Sequence, residues 1–177
     1  LCEVKAYGKR INIPRIHPRR VNYGKNIARS RKAWQSSTTH RGYAKRATDG
    51  NTNSHYFKGA SCTHTRNRRQ TWLVIDLGSV YSVTHVKLFN RQDCCSNRLK
   101  KFTVSISNNR RPKFKGKSIQ PTNARQCTYQ RNSVGKEITI ACRGIKGRYI
   151  VIAKNYILTL CEVKAYGKRI NIPRIHP

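Results

Sequence analysis

The sequence predicts an all-β protein, an antiparallel β-sandwich. Three observations carry the prediction. Six runs rich in Val, Ile, Tyr and Thr lie between clusters of Gly, Asn, Ser and Pro, the pattern of strands bounded by turns. No run has a helical hydrophobic period. The runs are short and closely spaced, as in two packed antiparallel sheets. With 177 residues the chain is long enough for one domain with a real core.

The predicted strands cover residues 71–77, 80–89, 102–107, 138–141, 149–153 and 160–166. The first, TWLVIDL, is an apolar run interrupted by Asp76. The second, VYSVTHVKLF, is β-branched and aromatic in character, and FTVSIS, ITIA and YIVIA follow it. The last, LCEVKAY, alternates apolar and polar side chains, as a half-buried strand does. No stretch approaches the ~18 to 20 apolar residues that span a bilayer. Neither a signal peptide nor any Met is present, so the N-terminus does not read as a natural precursor start.

Residues 1–18 and 160–177 are identical, LCEVKAYGKRINIPRIHP, at an offset of 159. That implies one full period of a tandem array, each unit a whole domain. Residues 1–7 then read as the last strand of a preceding repeat. Residues 8–25 read as a basic linker with Pro14 and Pro18, carrying Lys9, Arg10, Arg15, Arg19, Arg20 and Lys25 and no acid. Ile11, Ile13 and Ile16 leave open an extra strand packed on the domain. The domain itself spans 26–166, and 167–177 begin the next linker.

Net charge is +32, from 38 Lys and Arg against 6 Asp and Glu. Such charge draws a protein to anionic surfaces without deciding its fold. The acids are Glu3, Asp49, Asp76, Asp93, Glu137 and Glu162, and Glu3 is the repeat copy of Glu162. They persist chiefly where a site or a core needs them. Within one period, residues 19–177, there are six cysteines. An even set predicts three disulfides in an oxidising compartment, with the pairing open on sequence alone. A zinc site competes, but no CxxC pair exists.

His64, Arg91, Asp93 and Arg98 stand at the spacing His-x26-Arg-x-Asp-x4-Arg, with Cys94-Cys95 inside it. One His and two Arg are directional donors suited to gripping sugar hydroxyls, and the guanidinium fork holds a geometry that Lys does not match. The set resembles the F-type lectin signature, the fucose-binding motif of the fucolectin family. Further matching stretches are NIARSRKAWQSS, ATDGNTN, SCTHT, WLVIDLG, NRQDCC, GRYIVI and LTLCEV.

The resemblance covers about residues 26–166 and implies a discoidin-type jelly roll. It implies the pairs Cys62–Cys161, Cys127–Cys142 and a vicinal Cys94–Cys95, whose flat sulfur surface faces the apolar side of the sugar. It implies that His64 bonds the axial hydroxyl of fucose and that Arg91 and Arg98 bond its neighbours. Asp93 is expected to orient both arginines. Tyr56 and Phe57 align with aromatics near the sugar methyl, or serve as ordinary core. His40, in the loop to Tyr43, lines the rim. His17, His55, His85 and His176 are read as incidental.

The same resemblance implies a structural Ca2+ held by Asp49 and Glu162 carboxylates, by Asn51 and Ser61 oxygens, and by the carbonyls of Arg46 and Cys161. Calcium takes about six to eight oxygens. The expected function is a calcium-dependent fucose-binding lectin, one unit of a secreted tandem array. Its partners would be fucosylated glycans, neighbouring repeats and anionic surfaces. The tandem basic units resemble bivalve sperm bindins, which implies storage in an acrosomal vesicle and sperm–egg adhesion. The alternative is a polyanion-binding or filament-forming protein on a lectin scaffold. No nucleic-acid recognition motif is found. No catalytic constellation is visible, so an enzyme is not expected. No Asn-x-Ser/Thr acceptor is present.

Overall fold

The computed structural model describes residues 22–171. The repeat copy at 1–7, the linker up to 21 and residues 172–177 lie outside the described residues. Six strands form: β1 (Ala33–Gln35), β2 (Thr71–Phe89), β3 (Phe102–Ser107), β4 (Ala124–Gln130), β5 (Glu137–Lys154) and β6 (Glu162–Arg169), with one α-helical turn, α1 (Tyr56–Gly59), and two 3-10 turns, Ala44–Ala47 and Ser96–Arg98. All strand pairs are antiparallel.

β2 and β5 are long because both turn a corner. Their pairing shifts register between Asp76 and Tyr81, where Gly78 sits at φ +81°, a conformation glycine takes without steric cost. Asp76 accepts the Gly78 N–H and a two-pronged bond from Arg148 on β5, at 2.7 and 2.9 Å. The sequence splits this region into 71–77 and 80–89, and into 138–141 and 149–153. The backbone instead passes through each break, bent rather than ended.

The corner divides the structure into two layers. Before it, β2 pairs with β1 and with the second half of β5, which continues to β3 and β4. After it, β2 pairs with β6 and the first half of β5. Leu73, Ile75, Leu77, Val83, Val86 and Leu88 of β2 enclose one core with Phe102, Val104, Ile106, Ile150 and Ile152. This is the antiparallel sandwich the sequence predicts.

β3 is buried on both faces. Phe102, Val104 and Ile106 face the core. Opposite them, the hydroxyls of Thr103, Ser105 and Ser107 bond Ile119 O, Gln120 Oε1 and Asn123 O of an overlying segment, at 3.0, 3.1 and 2.7 Å. Buried hydroxyls need such partners, so the alternation of FTVSIS encodes a covering segment.

Two strands and one boundary differ from expectation. β1 is three residues long. β4 (ARQCTYQ) is an edge strand with Arg125, Gln126 and Tyr129 exposed, so it lacks an apolar signature. β6 begins at Glu162, not 160, and runs to Arg169, which pairs with Tyr81. Residues 167–169, read as linker, are therefore strand. Tyr23, also read as linker, packs its ring 4.9 Å from His85 and 5.2 Å from Tyr166.

The pairs Thr71–Lys154, Phe102–Lys154, Phe89–Glu137 and Phe89–Glu162 bring six strand ends to one pole, opposite the corner. The candidate site is built there.

Candidate functional site

His64 sits on an extended arm, residues 61–65, fully buried against the segment leading into β6. Thr63 and Thr65 each bond that segment twice: their N–H groups donate to Leu160 O and Leu158 O, and their hydroxyls accept from Leu160 N and Leu158 N. The alternation of SCTHT turns His64 to the other face. The Cys62–Cys161 disulfide clamps the arm.

The His64 Nδ1–H donates to Thr65 O at 2.8 Å. A carbonyl can only accept, so the neutral ring leaves Nε2 as an acceptor. Burial pushes the His64 pKa below the ordinary histidine value, against the pull of the Thr65 bond; His40, Arg98 and Arg91 lower it further. His64 is thus a neutral acceptor, not a third donor beside the arginines.

The rim loop is knitted to His64. Thr39 N donates to His64 O, and His64 N to Gly42 O. His40 and Arg41 lie at φ +49° and +57°. The His40 ring is 5.1 Å from that of His64, and Tyr56 Oη donates to His40 O at 2.6 Å.

Arg91 follows β2 and is 6% exposed. Its Nε and Nη2 donate to the two Asp93 oxygens at 2.7 and 3.0 Å, and its guanidinium lies 4.5 Å from the Tyr56 ring centroid and 5.4 Å from that of Phe57. Asp93 also accepts the Tyr56 N–H and lies 3.6 Å from His55 Nδ1. The Arg91 fork, helped by the Tyr56 N–H, holds the Asp93 carboxyl down at about 2. Asp93 therefore orients Arg91 alone, since none of its recorded bonds reaches Arg98. His55 is not incidental, because it touches Asp93.

The bonded Cys94–Cys95 pair forms a knuckle, with Cys95 at φ +60° and Cys94 exposed. Asn90, 2% exposed, pins this loop by donating to Ser96 O, Val134 O and Gly135 O at 2.9, 3.0 and 3.1 Å. Arg98, exposed, ends the turn that follows the knuckle. Cys127–Cys142 links β4 to β5 away from the site.

The metal candidates gather below. Glu162 is wholly buried; Oε2 accepts the Gly50 N–H at 3.0 Å and Oε1 has no partner. Burial pushes its carboxyl up to about 7, and Asp49 adds to the push while the Gly50 N–H, Lys164 and Arg29 oppose it. An orphaned carboxylate oxygen beside a second carboxylate fits a hard cation such as calcium. Among the described residues no three His, Cys, Asp or Glu gather, so other ligands would be carbonyls and hydroxyls. Asn51 Oδ1 already accepts the Asn53 N–H, and Ser61 Oγ–H donates to Asn53 O. Both side chains brace the loop. Arg46 Nη1 donates to Cys62 O at 3.3 Å.

The family profile for NedA-like, galactose-binding domains matches residues 46–152. Fucolectin-2 of Anguilla japonica is 33% identical over 150 residues, which cover 78% of this chain and 77% of the relative. The chain belongs to the F-type lectin (fucolectin) family. That family consists of lectins, not enzymes. An f-lectin from striped bass (Morone saxatilis) serum superposes on this F-type lectin chain with a TM-score of 0.71 at 32% identity, over 84% of this chain and 49% of that one. The lectin domain of lectinolysin, complexed with Lewis B antigen, gives 0.67 at 32% identity over 81% and 97%. The chain spans 36% of the pentraxin fusion protein of Xenopus laevis, at 29% identity, and 62% of Fucolectin-6 of Anguilla japonica, at 33%.

The F-type lectin fold thus brings His64, Arg91, Asp93, Tyr56, Phe57 and His40 together, with Cys94, Cys95 and Arg98 beside them. Sequence reasoning missed Asn90 and His55. Asn90 opens the stretch NRQDCC, but its bonding role carries no local signal, because Val134 and Gly135 lie 44 and 45 residues away.

Proposed function

We propose that the chain is a fucose-binding lectin domain supported by a structural calcium ion. The Asp93 fork on Arg91 carries the reading. It occupies Nε and one Nη2 hydrogen and leaves Nη1 fixed in direction and free to donate. His64 Nε2 accepts. A sugar hydroxyl that donates to His64 and accepts from Arg91 is held from both sides, and Arg98 reaches a neighbouring hydroxyl. The exposed Cys94 sulfur and Phe57, 73% exposed, supply the apolar surface that a sugar methyl needs.

Asp49 and Glu162 would hold the calcium, with the Arg46 and Cys161 carbonyls and the Asn51 and Ser61 oxygens completing its shell. When bound, the ion would neutralise two carboxylates and tie the loop under the sugar site to β6. Three disulfides support an extracellular location, and the serum source of the striped bass lectin agrees with it. The eighteen-residue identity supports a tandem array, in which weak sites gain avidity by multivalency. Sperm–egg adhesion is the role we assign to such an array.

The test is an L-fucose titration of the chain in physiological salt, with calcium and after chelation. Saturable binding that weakens on chelation is expected. No binding with calcium present and disulfides intact would refute the lectin reading. Unchanged affinity after complete chelation would refute the calcium.

A further inference from the structure

Beside the sugar site, past Arg98, the surface opens into a cleft of about 870 Å³. Arg98, Lys100, Lys101, Lys117 and Lys154 line it, and no carboxylate does. Elsewhere, three cations pair with a carboxylate: Arg91 with Asp93, Arg148 with Asp76, Lys87 with Glu137. None of the five cleft cations has a carboxylate partner among the described residues. Like charges in a concave, low-dielectric wall focus their field on whatever enters.

Lys154 sharpens the point. It is 6% exposed, and its Nζ donates to Ile157 O at 3.0 Å. Burial, with Arg98 and Lys100 nearby, brings its pKa down to about 8, so it stays charged at neutral pH. A buried, unneutralised ammonium is costly, and an anion in the cleft would offset that cost.

The walls suit a sugar. Tyr129 and Tyr156 line the cleft and are 44% and 60% exposed. Tyr156 sits at φ +67°, a strained backbone for a bulky residue. Its N–H donates to Arg68 O, and its carbonyl takes the Thr71 hydroxyl. The Lys117 wall is also fixed, because Gln70 Nε2 donates to Gly116 O and Ser118 O at 2.6 and 3.0 Å. The cleft is preformed.

We propose that this cleft binds an anionic substituent, a sulfate ester or a carboxylate, on the same glycan whose fucose occupies the His64–Arg91 site. The inference rests on the fucose reading. Arg98 belongs to both places, so one oligosaccharide can span them. The residue shared with the sugar site, Arg98, favours a charged substituent on the same glycan over a nucleic-acid backbone.

The test uses three fucosylated oligosaccharides that differ at one sugar next to fucose, bearing a hydroxyl, a sulfate ester or a carboxylate, titrated at 0.15 M salt as a physiological reference. One anionic form should bind at least about tenfold tighter than the neutral one; which one identifies the substituent. Lys100→Gln/Lys117→Gln should cut that preference below about threefold with L-fucose affinity intact. Lys146→Gln/Lys168→Gln removes the same charge at the corner pole, where both residues pair across Ser82, and should keep the preference. Equal affinity for all three sugars overturns the proposal. So does a preference that survives the cleft variant, falls equally in the corner variant, or yields to duplex DNA at equal charge. If L-fucose itself does not bind, the fucose reading fails and the cleft inference falls with it; if only the preference is missing, the cleft alone fails.

Discussion

Asp93 decides what Arg91 can do. An exposed arginine samples many rotamers, whereas here two charge-assisted bonds and the Tyr56 ring fix one. Asp93→Asn keeps the shape and loses the charge. Bonds to charged groups contribute about 1.5–3 kcal/mol, so L-fucose affinity should fall roughly 10- to 100-fold, read by titration calorimetry; an unchanged constant would mean that Arg91 needs no orienting. Acid separates Asp93 from His64. The folded Asp93 pKa of about 2 lies below its unfolded value of 3.8. Its contribution to stability is therefore complete above the unfolded value and is lost as pH falls through about 2. His64 is also depressed, by burial. It binds a proton only below the ordinary histidine range, and that proton removes the Nε2 acceptor. L-fucose affinity should hold from pH 7.4 to 6.5, the ordinary histidine value, and fall on further acidification while the fold persists. A loss of affinity already above the ordinary histidine value would mean that burial does not hold His64 neutral.

At the scale of elements, the site depends on how closely the rim loop and the His64 arm approach. A Cβ on Gly42 would lie 2.4 Å from His64 N, 2.5 Å from His64 Cβ and 2.8 Å from Tyr56 Oη. All three atoms belong to His64 and Tyr56, which other bonds hold in place, so Gly42→Ala must displace the arm. Sugar affinity should drop at least about tenfold, with the Cys127–Cys142 half of the sandwich untouched; wild-type affinity in a folded Gly42→Ala protein would show that the arm yields freely. The motif residues were legible because they cluster in short stretches, NRQDCC and SCTHT, whose alternation or turn chemistry is local. β3 was legible for the same reason. β4 was not, because an exposed edge strand reads as polar loop. The corner at Gly78 was misread as a chain break, since glycine ends a strand as often as it bends one. The basic cleft was invisible in the sequence: its cations come from residues 98–101, 117 and 154, and only the packing of the covering segment over β3 assembles them.

Over the whole molecule, charge and connectivity pull in different directions. The +32 chain repels itself everywhere, and its few carboxylates are committed: Asp76 at the corner, Asp93 in the site, Glu162 under it. Two of the site's ties, Cys161 and Glu162, lie on the stretch that repeats at residues 1–18. The described domain closes its disulfide and its buried carboxylate with the copy at residues 161 and 162, and β6 adds the strand that completes the layer beyond the corner. The proposed calcium would satisfy the orphaned Glu162 oxygen, so the metal-free fold should be the weaker one. Calcium at about a hundred times its Kd adds about 2.7 kcal/mol. For a domain of this size that raises Tm by roughly 5–10 °C. Glu162→Gln should abolish the rise and, by removing a buried carboxyl, need not lower the Tm of the calcium-free protein. Calorimetric scans of both proteins, with calcium and after chelation, decide it. A calcium-dependent Tm in the wild type that vanishes in the variant ties the ion to β6. Equal Tm values in all four scans would mean that the buried carboxylate is satisfied without a cation and that the tail serves closure alone.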